Sequence, residues 1–302
     1  MSLLRQHSRR LSELARTTIA VLALVSAGVF VAAPASGKPN ELTLPSPLRF
    51  VSNLDLECFK TDPYQPPYVS VLTRHINPVL TDLPEEQVVL GSREQLCVPV
   101  AKNGVIPPPE VLEFIRFVDL SCYRIEGITV DRQLRLTQLN PQLSDVPDKT
   151  VVITRPQQLC VPVVKNGVYP PPEVLELVRY IDLKCYLAEP QYSMDRTLLL
   201  THLNQVLYNL PDHYAGVTYN KQLCVPVQKN NQPMPPYIYN IVQYIDLEKY
   251  DIETPVLPTP YNLQIDHINP DLTWLPTEPV TLYHGEQLAL PVAKNGLIPP
   301  DF

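Results

Sequence analysis

Glycine is scarce in this chain, at 9 of 302 residues. Collagen needs glycine at every third position, so the 35 prolines do not mark a collagen-like protein. Tryptophan occurs once, methionine three times, and charged residues make up only 18%. Disordered chains are charge-rich and apolar-poor, whereas 45% of this sequence is hydrophobic. The composition is that of a folded protein. The common chemical signatures are missing too. No Gly-x-Ser-x-Gly, His-Glu-x-x-His, P-loop, Gly-x-Gly-x-x-Gly or Cys-x-x-Cys pattern occurs. The expectation is a non-enzyme, with no catalytic residue, cofactor or metal assigned.

Only one apolar run approaches the length of a membrane span, and it lies at the N-terminus. Arg5, Arg9, Arg10 and Arg16 precede an apolar stretch from about Thr18 to Ala33, followed by Ala33-Pro34-Ala35. A basic segment, an apolar segment and a small-x-small site predict a secretory signal peptide over 1–35 and a linker over 36–44. An uncleaved anchor is the alternative, and Ser8-Arg9-Arg10 matches a twin-arginine signal only in part. Removing a leader with four arginines and one glutamate takes the net charge from −7 to −10. That balance opposes nucleic acid and anionic membrane surfaces as partners. No span is expected after signal removal, which places the protein in the secretome, the periplasm or on the cell surface.

Self-comparison reveals four repeats. Asp55-Leu56-Glu57-Cys58-Phe59 returns as Asp119-Leu120-Ser121-Cys122-Tyr123, Asp182-Leu183-Lys184-Cys185-Tyr186 and Asp246-Leu247-Glu248-Lys249-Tyr250. Gln95-Leu96-Cys97-Val98-Pro99-Val100 recurs at 158–163, at 222–227 and as Gln287-Leu288-Ala289-Leu290-Pro291-Val292. The spacing assigns repeats to 45–108, 109–171, 172–235 and 236–302. Val118, Leu120 and Cys122 share one face of a period-two pattern, so the cysteine points toward a core. Runs 134–139, 150–154 and 159–163 also read as strands, with Pro162 suggesting an edge position. Lys-Asn-Gly at 102–104, 165–167 and 294–296, and Lys229-Asn230-Asn231, predict tight turns of positive φ. Pro-Pro-Pro-Glu-Val-Leu-Glu at 107–113 and 170–176 suggests a short helix, although residues from Arg179 onward also alternate like a strand.

Six cysteines in an exported chain imply disulfides, and six allow fifteen pairings. The fourth repeat has lost both of its cysteines together, to Lys249 and Ala289. Pairing within repeats strands nothing: Cys58 with Cys97, Cys122 with Cys160, Cys185 with Cys224. Pairing between repeats would strand Cys58 and Cys224. Trp274 is the candidate filler of the unbridged fourth core, with Lys249 on the core-facing parity having to snorkel or to lie at a strand end.

Three further sets recur. His75-Ile76-Asn77, His202-Leu203-Asn204 and His267-Ile268-Asn269, with Gln138-Leu139-Asn140 in repeat 2, read as a polar residue bracing a turn. A metal site shared across repeats, with carboxylates such as Asp266, is the alternative. Asp55, Asp119, Asp182 and Asp246 pair in pattern with Lys102, Lys165, Lys229 and Lys294, read as turn bonding, a surface ion pair or a junction contact. Phe59, Tyr123, Tyr186 and Tyr250 are candidate binding aromatics if exposed, and otherwise a second buried face.

The order Cys-Tyr, Leu-Thr strand, Gln-Leu-Cys-Val-Pro-Val-x-Lys-Asn-Gly, then Asp-Leu-x-Cys-Tyr, sharpest at 159–167 with Cys185-Tyr186, resembles a domain of unknown function repeated in predicted secreted bacterial proteins. The resemblance covers 45–302 and implies β-rich exported modules, with no catalytic residues to carry over. The expected architecture is mainly β: four tandem small disulfide-stapled modules, sandwich- or barrel-like, with short helical or Pro-rich connectors. The expected function is binding or structural support at the cell surface or in the secretome, with a protein or a glycan as partner. A glycan-binding protein using the repeated aromatics and an enzyme with an unrecognised site are the alternatives.

Overall fold

The computed structural model describes residues 43–302; the leader predicted over 1–35 and most of the predicted linker lie outside the described residues. Each repeat runs helix, strand, strand, long strand. Repeat 1 comprises α1 (Pro47–Val51), β1 (Leu56–Tyr64), β2 (Ser70–His75), and a long strand broken into β3 (Glu86–Val89) and β4 (Arg93–Lys102). Repeat 2 has α2 (Pro109–Ile115), β5 (Leu120–Arg124), β6 (Arg132–Gln138) and β7 (Lys149–Lys165). Repeat 3 has α3 (Pro172–Val178), β8 (Leu183–Glu189), β9 (Ser193–His202) and β10 (His213–Lys229). Repeat 4 has α4 (Pro236–Val242), β11 (Leu247–Glu253), β12 (Tyr261–His267) and β13 (Glu278–Lys294). Among the described residues no helix is long and apolar enough to cross a membrane.

The first and last strands of each repeat build a closed wall. Antiparallel pairing runs β1–β4–β5–β7–β8–β10–β11–β13 and back to β1. An eight-stranded barrel has an interior just wide enough for side chains to fill, and closure removes the unpaired edges. The second strands lie outside the wall and cross to the repeat two places away. β2 pairs with β10, β6 with β13, β9 with β4 and β12 with β7. The helices pack α1 on α2, α2 on α3, α3 on α4 and α4 on α1, closing one end of the barrel. There the Leu48 N–H donates to the Pro300 carbonyl at 3.0 Å, so the two ends of the fold meet.

Strand alternation divides the core. Leu56, Leu120, Leu183, Leu247 and the cysteines point inward and pack with Phe50, Phe114, Leu177 and Ile241 of the helices. The opposite parity builds four outer cores. One joins Val71 and Val88 to Tyr123, Leu159, Val227 and Leu272, drawing on all four repeats. The other three are equally mixed. The β-rich, disulfide-stapled class stands in its barrel form, but no repeat holds a core of its own. Each outer strand is amphipathic and needs the wall of a distant repeat to cover it.

Two details differ from expectation for identifiable reasons. Pro162 lies in the barrel wall, not at an edge. It sits where β7 leaves β8 after Cys160 and takes up β12 from Val163, so its missing N–H falls in the gap between partners, while its carbonyl accepts from Ile268 at 3.2 Å. Trp274 does not fill the fourth core: it is 61% exposed, with Nε1 donating to the Asp271 carbonyl. The turn asparagines adopt positive φ, from 47° to 54°, as the Lys-Asn motif predicts. Asn103, Asn166, Asn230 and Asn295 each also anchor a crossing strand, as where the Leu199 N–H donates to Asn103 Oδ1 at 3.0 Å.

Candidate functional site at the barrel mouth

The lumen is layered. Above the leucines lies a belt of sulfur: Cys58 is bonded to Cys97, Cys122 to Cys160 and Cys185 to Cys224, each pair directly opposed in register. Lys249 opposes Ala289 at the fourth position of the belt. Two residues along each long strand, and so on the same face, stand Gln95, Gln158, Gln222 and Gln287. They line an open cavity of about 530 Å³ with Lys60, Arg93, Glu94, Asp251 and Glu286.

Lys249 is buried in the belt beside the Cys122–Cys160 disulfide, and its Nζ reaches up to Gln95 Oε1 at 2.8 Å and Gln158 Oε1 at 2.9 Å. The carboxamides pass the polarity outward. Gln95 Nε2 donates to Glu286 at 2.8 Å and Gln158 Nε2 to Glu94 at 2.7 Å. Gln222 donates to Gln157, and Gln287 to Asp251. Lys249 lies within β11 and not at its end, and it snorkels to amides, with the acids one bond further out. Burial pulls its ammonium down to about 7, against the opposing pull of Glu286 and Glu94.

A lysine depressed in the folded state contributes stability that is complete above its unfolded value and is lost as pH falls through the folded one. The stability of the wild type relative to Lys249→Met should therefore climb between about 7 and 10.5, at up to about 1.4 kcal/mol per pH unit. Urea unfolding of both proteins across that window measures it. A flat difference would place the ammonium in water.

Of the two readings of the recurrent aromatics, the structure shows the second buried face and not an exposed binding set. Phe59, Tyr123, Tyr186 and Tyr250 are at most 1% exposed, because the crossing strands cover the face opposite the cysteines. The hydroxyls face the residue that ends a crossing strand: His75 Nε2 lies 2.9 Å from Tyr186 Oη, His267 Nε2 3.1 Å from Tyr123 Oη, and Gln138 Nε2 donates to Tyr250 Oη at 3.3 Å. Asp266 takes no part there; Thr277 bonds to it at the surface. The asparagines brace turns: Asn204 Oδ1 accepts from the Val206 N–H while its Nδ2 donates to Asp119 at 2.9 Å and to the Arg116 carbonyl.

The aspartate–lysine pairs are buried, not superficial. Asp55 with Lys102, Asp119 with Lys165, Asp182 with Lys229 and Asp246 with Lys294 are ion pairs inside their repeats. Each aspartate also takes the asparagine of the following repeat: Asn140, Asn204, Asn269 and, from repeat 1, Asn77. The result is a second closed circuit around the molecule. Burial raises all four aspartates, Asp182 to about 6, against the lowering effect of their lysines.

The mouth glutamines belong to the signature already read in the sequence, yet their convergence requires barrel closure to be seen. Glu57 occupies a variable place in the repeated motif, matched by Ser121, Lys184 and Glu248, and His213 lies in none of the recurrent sets, so neither stands out in the sequence. The one signal the sequence holds is Phe59, the only non-tyrosine of its set, two residues after Glu57. Comparison of the chain with protein-family models, with curated proteins and with solved structures finds no match.

Proposed function

We propose that the chain is an exported, non-enzymatic binding protein of the cell surface or secretome, and that it seats a small polar ligand rich in hydroxyl or amine groups at the barrel mouth. The observation that carries this reading is the cavity of about 530 Å³ in which the polar groups of all four repeats converge on open space. Carboxamides and carboxylates with both donors and acceptors suit hydroxyls and amines. The rest of the repeat signature is committed to structure: sulfurs in disulfides, aspartates in ion pairs, tyrosines in the outer cores. Three disulfides suit an oxidising compartment, in keeping with the leader and with the resemblance to secreted repeat domains.

A thermal-shift screen of saccharides, polyols and polyamines on wild type and on Gln158→Leu/Gln222→Leu tests the reading. A ligand at a hundredfold excess over its Kd stabilises by about 2.7 kcal/mol, which such a screen detects. One class should raise the wild-type Tm and leave the variant unmoved. Equal shifts in both proteins, or none in either, would remove the mouth as a binding seat.

A further inference from the structure

The junctions between opposite repeats share one plan, and one of the four departs from it. At each junction four positions converge: the residue before the first cysteine position, the aromatic after it, the last residue of the crossing strand and the first residue of the long strand that follows. Where β8 meets β2, these are Lys184, Tyr186, His75 and Glu86, with Lys184 paired to Glu86. Where β11 meets β6, they are Glu248, Tyr250, Gln138 and Lys149, with Lys149 3.0 Å from Glu248. Where β5 meets β12, they are Ser121, Tyr123, His267 and Glu278, and Arg93 reaches in to pair with Glu278 at 2.9 Å. Each of these three has a hydroxyl for the imidazole or amide and a lysine or arginine for the carboxylate.

The fourth junction, where β1 meets β9, has Glu57, Phe59, His202 and His213. Phenylalanine offers no hydroxyl, and among the described residues no lysine or arginine pairs with the carboxylate. His213 Nε2 lies 3.0 Å from Glu57 Oε1, and His202 Nε2 lies 3.7 Å from Glu57 Oε2. One ligand-type atom from each residue falls within 4.8 Å of the other two. Glu57 and His202 have side chains 0% and 2% exposed, yet among the described residues Glu57 Oε2 and His202 Nε2 have no hydrogen-bond partner. Buried polar atoms are almost always satisfied, so two orphans facing each other call for a group between them. Gly285 stands where Arg93, Pro156 and Asn220 stand in the other repeats, and a Cβ there would come within 2.1 Å of Glu57 Oε1. The backbone itself makes room for the carboxylate.

We infer that Glu57, His202 and His213 form a site for a borderline divalent metal ion, Zn²⁺ above all, held by one carboxylate and two imidazole Nε2 atoms. Two histidines and a glutamate are an established zinc donor set, and bonds of about 2.0–2.1 Å place tetrahedral donors roughly 3.3 Å apart, inside the spread found here. His213 Nδ1 lies 3.4 Å from the Pro211 carbonyl, an outer partner that leaves Nε2 free to ligate. The His213 side chain, 13% exposed, marks the way in and the place for a water ligand. The ion joins repeat 1 to repeat 3, as Lys184–Glu86 and Lys149–Glu248 join opposite repeats at two of the other junctions. The inference is independent of the barrel-mouth reading, since the site lies on the outer face of the wall.

The test is titration of the tag-free, chelator-treated protein with Zn²⁺ by calorimetry and with Co²⁺ by visible absorption. One equivalent of Zn²⁺ should bind, the Co²⁺ form should show tetrahedral d–d bands, and Tm should rise with the ion. His202→Gln and His213→Gln should each weaken binding by about a hundredfold or more. Phe59→Tyr, which returns the hydroxyl present at the other junctions, should weaken it too, whereas His75→Gln and His267→Gln should not. Failure of the wild type to take up one equivalent overturns the inference without recourse to any variant. So does uptake that survives His202→Gln/His213→Gln.

Discussion

Asp119→Ala should lower stability by about 3–5 kcal/mol, the usual cost of stranding one partner of a buried ion pair. Lys165 is 1% exposed and has Asp119 as its counter-ion, and burial already depresses its ammonium against that carboxylate. Removing the carboxylate leaves a buried cation and also strips Asn204 of an acceptor, loosening the link from repeat 3 to repeat 2. At roughly 2–4 °C per kcal/mol for a fold of this size, Tm should fall by about 10 °C. The double substitution Asp119→Leu/Lys165→Met should recover most of the loss, because an apolar pair of similar volume avoids the desolvation cost. Chemical denaturation of Asp119→Leu, Lys165→Met, the double variant and the wild type gives the coupling directly. A loss below about 1 kcal/mol for Asp119→Ala would mean that water reaches the pair.

The burial of these lysines was legible in principle. Lys102 continues the parity of Leu96, Val98 and Val100, and Lys165 that of Leu159, Val161 and Val163, so each stands at the end of an apolar face. The inward parity of Leu120 and Cys122 was read directly, and the joint loss at Lys249 and Ala289 chose among the cysteine pairings. Those inferences are local, or compare one repeat with the next. Closure is neither. The alternation of Leu134 and Leu136 says that one face of β6 is covered but not that β13 lies beside its end, and nothing in a repeat period specifies a crossing to the second repeat along. Pro162 was misplaced for this reason, since a strand that changes partners at its proline leaves no trace in its own sequence. The barrel mouth was hidden by the same gap: four glutamines spaced along the chain become one ring only when β1 joins β13.

Lys249→Cys with Ala289→Cys should close a fourth disulfide and raise stability by about 4 kcal/mol. Residues 249 and 289 are opposed in register, as are 58 and 97, 122 and 160, and 185 and 224. The new bond would close a loop of similar length to those of the native bridges, for which chain entropy gives that magnitude. It would also remove a buried ammonium depressed to about 7. Gln95 Oε1 and Gln158 Oε1 would lose their donor, but they border the open mouth, where water replaces it. A mass lower by two hydrogens, with the Tm raised by roughly 10 °C, is the expected result. Free thiols after oxidative refolding, or an unmoved Tm, would show that the fourth quarter of the wall differs from the others. If the bridge forms, the wild-type lysine costs stability at neutral pH, and stability is most often given up where a site needs it. The ligand screen run on the bridged protein then decides what the ammonium is for: binding lost while stability rises assigns Lys249 to the floor of the seat, and binding kept assigns it to holding the glutamine ring alone.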